Sequence, residues 1–268
     1  MKTLPTYFIS HGGGPWPWMK KEMPFYDVLE KSLQEIPRQL GVTPKAILVI
    51  SAHWEEKDFA IQAHPHPPMI YDYGGFPDYT YQIQYSAPGS PEVARRVAEL
   101  LTQAGLPNHL DQERGYDHGN FTPLFVMYPK ANVPIFQVSL KTGLSPAEHL
   151  QLGRALAPLR NEGILIVGSG LSYHNLRAMF SRDPSAGVAS SQFDEWLEKV
   201  MSKDPQARSE ALLHWEKAPS ARAAHPREEH LIPLMVAVGA AENEKSLRVY
   251  HEDKFMGALA TSSFRLGE

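Results

Sequence analysis

The chain of 268 residues contains no cysteine. This absence excludes disulfide bonds, iron–sulfur clusters, thiolate metal sites and cysteine nucleophiles. A metal ion, if one is bound, must therefore be held by histidine, aspartate or glutamate. Twelve histidines make such a site worth considering.

The sequence also lacks a strong bias of charge and a long hydrophobic run. Lys and Arg number 26 against 30 Asp and Glu, and the net charge of −4 is spread along the chain. Neither a nucleic-acid groove nor a polybasic membrane contact is expected from this balance. No segment approaches the roughly 20 apolar residues that cross a bilayer, and the N-terminus has no secretory-signal pattern. We expect a cytoplasmic protein that binds neither membrane nor nucleic acid.

Short, nearly continuous apolar runs alternate with helical patterns along the chain. The runs predict strands covered on both faces, at Thr6–Ser10, Ala46–Ser51, Phe59–Ala63, Val133–Ser139 and Gly163–Gly168. The helical patterns begin or end with Pro, Ser or Gly, which is typical of helix ends. They predict helices over Pro24–Leu40, from Ser90 to Gly105, from Ser145 with a capping-box Glu148, and from just after Pro226. The pattern predicts an α/β fold with a central, mostly parallel sheet flanked by helices. Without repeats or a linker, we expect one catalytic domain over residues 1–268.

Three of the predicted strands are followed by a histidine. His11 and His53 come directly after strand ends, and His174 lies a few residues beyond another. Ligands of open α/β sheets gather at the carboxyl ends of the strands, so these side chains are expected in one crevice. Nearby glycines would let backbone and ligand approach closely, at Gly12, Gly13, Gly14, Gly168 and Gly170. Any one of these histidines taken singly is more often a hydrogen-bonded loop or core residue, whereas three at equivalent strand-end positions favour a shared site.

Two further histidines have informative neighbours. His118, in "GYDHGNFTPL", is either an N-terminal helix residue held by Asp117 or an acid/base facing a pocket. In "HPREEH", the two glutamates suit the N-terminal turn of a helix, but His230 leads into an apolar face and is either a core residue or a ligand. Histidines on polar helical patterns are expected to be solvated, namely His149 and His214. Imidazoles without thiolates suit Fe(II) or Zn(II).

Six segments in register resemble the class III extradiol ring-cleavage dioxygenases, and the 4,5-DOPA extradiol dioxygenase-like branch in particular. The segments run from about residue 6 to residue 241, and they are "SHGGGP", "VISAHWE", "YDYGGFPDYTYQIQYSAPGSPEVA", "DHGNFTPL", "GSGLSYHN" and "HPREEHLIPLMVAVGAA". The resemblance implies a non-haem Fe(II) enzyme that opens a catechol-type, DOPA-like ring with O₂. Zn(II) is an alternative occupant of the same site.

The resemblance also implies roles for individual histidines. His11, His53 and His230 match metal-ligand positions, although Glu229 beside His230 is an alternative third ligand. His174 matches the acid/base histidine of the wider family and in this branch could itself reach the metal. His118 matches the other catalytic histidine of the pocket. The implied partners are a small aromatic diol and O₂, and a homodimer is left open.

Two questions stay open at this point. The aromatics Tyr71, Tyr73, Phe76 and Tyr79, with Trp54, either wall the pocket or anchor their Pro/Gly-rich loop to the core. The same histidines would also serve a zinc-dependent hydrolase that activates water, or a binding protein without turnover. "GSG" at residues 168–170 lacks the full spacing of a nucleophilic serine turn.

Overall fold

A computed structural model describes residues 2–181 and 184–268. Its strands are β1 (Thr6–Ser10), β2 (Ala46–Ser51), β3 (Glu55–Glu56), β4 (Phe59–Gln62), β5 (Asn108–Asp111), β6 (Ile135–Gln137), β7 (Leu140–Lys141), β8 (Ile164–Gly170), β9 (Ser246–Phe255) and β10 (Leu259–Leu266). Its helices are α1 (Asp27–Leu40), α2 (Pro91–Gln103), α3 (His118–Met127), α4 (Pro146–Leu156), α5 (Leu176–Ser181), α6 (Pro184–Met201), α7 (Pro205–Leu213), α8 (Ala221–Ala224) and α9 (Ile232–Ala240).

Six of these strands form the central sheet, in the order β6-β2-β8-β1-β10-β9. The four from β6 to β1 pair in parallel, while β10 is antiparallel to both β1 and β9. Every residue of β1, β2 and β8 is buried, which explains their continuous hydrophobicity. The predicted α/β fold with a mostly parallel central sheet is confirmed.

The register of the three middle strands determines where the loops after them begin. In β8, Gly170 pairs with Ser10 of β1 and Ser169 pairs with Ser51 of β2. Because these strands run in parallel and end level with one another, their next residues emerge at the same edge of the sheet.

Helix α9 packs against α4 with the two backbones close together. All nine residues of α9 are buried. A Cβ atom added at Gly153 would lie 2.3 Å from the Val236 carbonyl oxygen, and one at Gly239 would lie 2.2 Å from that of Leu150. Glycine at both positions permits this crossing. None of the described helices combines the length and the hydrophobicity of a membrane span.

Some predicted elements differ from the observed ones. The helix expected just after Pro226 begins later, at Ile232, because the preceding residues form turns and Pro233 occupies the first helical turn. Strand β4 forms as predicted but pairs with β5 in a separate two-stranded sheet. The strand expected over Val133–Ser139 is shorter, at Ile135–Gln137. At α2, the Ser90 side chain makes no capping bond, whereas Ser145 does cap α4.

The sequence reasoning missed the C-terminal hairpin and helices α6 and α7. Strand β9 reads "SLRVYHEDKF", and most of its side chains are exposed or only partly buried. Such a polar edge strand lacks the apolar run of a central strand, and its pairing with β10 is what identifies it.

His149 is buried, contrary to the expectation that it is solvated. Its ring accepts a hydrogen bond from the Lys141 backbone N–H at Nε2 and donates one from Nδ1 to the Ser145 carbonyl oxygen, over 3.1 and 2.7 Å. The ring also packs edge-on against Phe59, 5.6 Å between centroids. Burial lowers the pKa of His149 to about 4. His214, in contrast, is exposed as predicted, with 52% of its side chain accessible.

Replacing His149 by Gln should weaken the pH dependence of stability. Unfolded His149 takes up a proton near pH 6.5 and the folded residue only near pH 4, so the free energy of unfolding falls as the pH drops through that window. From pH 7 to pH 5 this residue accounts for a loss of about 2 kcal/mol. Urea unfolding at both pH values should therefore show a smaller loss in the variant.

The exposed His214 provides the matched control. His214→Gln should keep the pH dependence of the unmodified protein. An equal loss in all three proteins between pH 7 and pH 5 would contradict the assignment of His149 as a buried neutral imidazole.

Candidate active site

A cavity of about 430 Å³ opens at the carboxyl edge of the sheet. It is lined by every histidine that the sequence reasoning assigned to a site, together with one carboxylate: His11, His53, His118, His174, His230 and Asp72. The histidines come from five separate stretches of the sequence. The strand register brings the first two together, and the close approach of β8 to Pro233 and to the His230 backbone brings His230 beside them.

Three of these imidazoles form a compact set. One ring nitrogen from each of His11, His53 and His230 lies within 4.8 Å of the others. Their ring centroids are 4.9 to 5.2 Å apart. His11 and His230 are buried, and about a fifth of the His53 side chain is accessible. Three converging nitrogen donors suit one first-row divalent ion.

The hydrogen bonds of these rings also fit a metal. His11 donates from Nδ1 to the Gly12 carbonyl oxygen over 2.6 Å, which leaves Nε2 with its lone pair. Within residues 2–181 and 184–268, the buried Nε2 atoms of His11 and His53 have no hydrogen-bond partner. A buried polar atom without a partner is costly unless something else satisfies it. A metal ion at this point would satisfy both atoms.

The three rings are held in the neutral form that binds metals. Burial, reinforced by the neighbouring histidines, lowers the pKa of His11 and of His230 well below the usual range. Burial and the nearby His118 lower the pKa of His53 to about 3, although Asp72 opposes the shift. At neutral pH no proton therefore competes for these nitrogens.

Glu229 joins two of the cavity histidines. His230 donates from Nδ1 to the Glu229 carboxylate over 2.9 Å, and Nδ1 of His174 lies 3.0 Å from the same oxygen. The rings of His174 and His230 stack with their centroids 3.4 Å apart. Burial opposes ionisation of Glu229, but the hydrogen bond from His174, a backbone hydrogen bond and the nearby His174 and Arg227 together lower its pKa. These three residues form a second group with metal-binding spacing.

Asp72 is a site residue that the sequence reasoning missed. Its Oδ1 accepts hydrogen bonds from the backbone N–H and from Nδ1 of His118, over 2.9 and 2.8 Å, and its Oδ2 lies 3.4 Å from Nδ1 of His53. Burial would raise its pKa, but the hydrogen bonds from His118 and the electrostatic interactions with His118 and His53 lower the pKa to about 2. The available signal was a single acid flanked by tyrosines, "YDY", in the long aromatic loop.

Asp117 does not hold His118, as one reading of the sequence supposed. Its carboxylate caps α3, accepts a hydrogen bond from Ser51 over 2.6 Å and pairs with Arg114 over 2.9 Å. The same Arg114 guanidinium donates to the His53 carbonyl oxygen over 3.1 Å. This network lies behind the cavity and supports the backbone of His53.

His225 lies outside the cavity. It is fully buried, and its Nε2 donates to the Ser172 carbonyl oxygen over 3.0 Å. Its ring packs edge-on against Phe193 and Trp215. Burial lowers its pKa to about 3. His225 is therefore a neutral core residue.

Two of the glycines serve backbone packing rather than ligand approach. A Cβ atom at Gly170 would lie 2.0 Å from the His230 carbonyl oxygen, and one at Gly168 would lie 2.3 Å from that of Pro233. Both let the end of β8 touch the segment that carries His230. Gly12, Gly13 and Gly14 do line the cavity, as expected.

The aromatic side chains divide between the two roles considered for them. Phe76 lines the cavity. The rings of Tyr71 and Tyr73 pack against the hydrophobic core and so anchor the loop, and their hydroxyls donate within the loop to the carbonyl oxygens of Ile83 and Thr80, over 2.6 and 2.7 Å. Tyr79 is half exposed, and Trp54 is buried beneath the Arg114 guanidinium. Anchoring is thus the commoner role, and the loop holds Asp72 against His118.

The chain is similar in sequence and in fold to known proteins over nearly its whole length. The chain is 40% identical over 263 residues to the 4,5-DOPA dioxygenase extradiol of Beta vulgaris, covering 97% of this chain and 95% of that protein. It is 35% identical over 270 residues to the protein of that name from Escherichia coli (strain K12), covering 98% and 95%. A crystal structure of an uncharacterized Escherichia coli K12 protein superposes with a TM-score of 0.79 at 30% identity, covering 98% of this chain and 100% of that one.

Residues 5–262 match the family described as the catalytic LigB subunit of aromatic ring-opening dioxygenase. The match covers nearly the whole chain and includes all five cavity histidines. The curated relatives above carry dioxygenase names and are matched over at least 95% of their length. The chain therefore belongs to the class III extradiol family of aromatic ring-opening dioxygenases.

Proposed function

We propose that this enzyme opens a catechol-type ring with O₂ at a divalent metal held by His11, His53 and His230. The observation that carries the proposal is the convergence of three ring nitrogens within 4.8 Å. Residues 1–268 would act as one catalytic domain. Fe(II) is the proposed working metal and Zn(II) an alternative occupant, because imidazole suits both ions.

The reaction needs no reactant beyond the diol and O₂. A ring carbon–carbon bond beside the two hydroxyls breaks, and both oxygen atoms enter the product, which carries an aldehyde and a carboxylate. The bound metal would bring the diol and O₂ together and favour loss of the first hydroxyl proton. The protein must supply the remaining proton transfers.

His174 is proposed to accept the second hydroxyl proton. Glu229 takes the Nδ1 side of the ring, 3.0 Å away, which leaves Nε2 as the basic atom. The ring lines the cavity and is only partly buried. In this proposal Glu229 orients both His174 and His230, and His230 rather than Glu229 is the third ligand.

His118 is proposed to return a proton as the ring opens. Its arrangement parallels that of His174, since Asp72 accepts the Nδ1 hydrogen bond over 2.8 Å. Two histidine–carboxylate pairs thus border the cavity. Each carboxylate fixes which ring nitrogen carries the proton, and this is what a general acid or base requires.

The first test compares the two metals in the same protein. After anaerobic loading with Fe(II), catechol and air should give oxygen uptake and a coloured ring-opened product, whereas the Zn(II) form should give neither. The Zn(II) form should also leave esters and amides intact. Ester hydrolysis that needs Zn(II) but no O₂ would instead favour the zinc-dependent hydrolase.

The second test separates ligands from acid/base residues. His53→Ala should weaken metal binding by more than about 100-fold, because even loss of an outer partner of a metal ligand costs about 10–100-fold. His174→Ala should keep the metal but lose ring cleavage. Metal content after dialysis and calorimetric titration measure the difference. His214→Ala, at an exposed site, is the control, and loss of metal in His174→Ala would make His174 a ligand.

The third test concerns the carboxylate that the sequence reasoning missed. Asp72→Asn keeps the shape of the side chain but removes the charge that fixes the His118 ring. We expect kcat/KM for ring opening to fall about 10–100-fold while the free energy of unfolding changes little. Unchanged kcat/KM in a variant with unchanged metal content would exclude a role for the Asp72–His118 pair.

A further inference from the structure

The outer part of the cavity is apolar, unlike its histidine floor. On one side, Leu176, Met179 and Phe180 of α5 line it. Their spacing of three and four residues places them on one face of the helix. Leu176 and Phe180 are 51% and 69% exposed, so they form an accessible apolar surface at the cavity mouth.

A second group of lining side chains is apolar as well. Met23 and Phe25 precede α1, Phe255 ends β9 and Met256 follows it; all four line the cavity. The rings of Phe25 and Phe255 pack edge-on, 5.8 Å between centroids. Methionine side chains adapt to ligands of varied shape, and each wall of the mouth contains at least one.

Charge is almost absent from this lining. In the described part of the chain, Asp72 is the one acidic or basic side chain, apart from the histidines, that borders the cavity. Its oxygens already face His118 and His53. No Lys or Arg among residues 2–181 and 184–268 lines the cavity. Among the described lining residues, a carboxylate on a substrate would therefore lose its hydration without finding a Lys or Arg counter-ion.

We propose that the substrate is a catechol with an apolar alkyl or aryl substituent, rather than an amino acid or carboxylic acid such as DOPA. The catechol ring in this statement rests on the proposed function, while the apolar substituent rests on the cavity walls. A volume of about 430 Å³ is within the usual range for small-molecule sites and leaves room beyond the ring.

The test uses catechols matched in size. 4-Propylcatechol and 3-(3,4-dihydroxyphenyl)propanoate differ mainly by a terminal carboxylate, and L-DOPA adds an amine. Binding to the Zn(II)-loaded protein is measured by anaerobic calorimetry, and kcat/KM is measured with the Fe(II) form. We expect 4-propylcatechol to exceed both acids by at least about tenfold in affinity and in kcat/KM. Equal or tighter binding of either acid overturns the inference.

A charge placed at the mouth should reverse the preference. Phe180→Arg offers the missing counter-ion and is expected to raise the affinity for the propanoate about fivefold or more while lowering that for 4-propylcatechol. Leu247→Arg adds the same charge at a similarly exposed position on β9, which does not line the cavity, and should change neither. Equal effects of the two variants would overturn the inference.

Ring opening and the preference for an apolar substituent are tested by different results. If the protein binds 4-propylcatechol selectively but no catechol consumes O₂, the proposed function is wrong and the apolar preference stands. If L-DOPA and the propanoate are cleaved as well as 4-propylcatechol, the function stands and the apolar preference is wrong.

Discussion

The parallel pairing of β8 with both β1 and β2 is the constraint on which the site depends. It brings the residues after β1, β2 and β8 to one edge of the sheet, although the three strands come from distant parts of the sequence. Glycines at the end of β8 then let the segment before α9 come close enough to add His230. Main-chain packing therefore positions His11, His53 and His230, and hydrogen bonds orient the rings of His11 and His230.

Carboxylates complete the arrangement that the backbone begins. Glu229 contacts Nδ1 of His174 and of His230, and Asp72 contacts His118 and approaches His53. Both acids have lowered pKa values despite partial burial, because the histidines beside them stabilise the charged form. The charge of each carboxylate is thus compensated by adjacent histidines, and the surrounding walls are apolar.

The sequence predicted the fold class and a shared crevice for His11, His53 and His174, because strand periodicity and strand-end position are local patterns. The family resemblance added His118 and His230, which also line the cavity. The sequence could not reveal Asp72, whose role depends on a loop folding back onto α3. The prediction that His149 is solvated was wrong, because the residue lies on a polar helical pattern but its ring packs against Phe59. The C-terminal hairpin was not predicted, because a polar edge strand becomes recognisable only through its pairing with a neighbouring strand.

The tyrosines on either side of Asp72 stabilise the loop conformation that holds Asp72 against His118. Tyr71 and Tyr73 tie the loop to Ile83 and Thr80, and these bonds belong to the loop rather than to the sheet. If the loop detaches locally, Asp72 leaves with it, whereas His11, His53 and His230 keep their places on the sheet and before α9. Under the proposed function, a proteolytic nick or a fluctuation in the loop would therefore yield a protein that keeps its metal ion but has lost ring-opening activity.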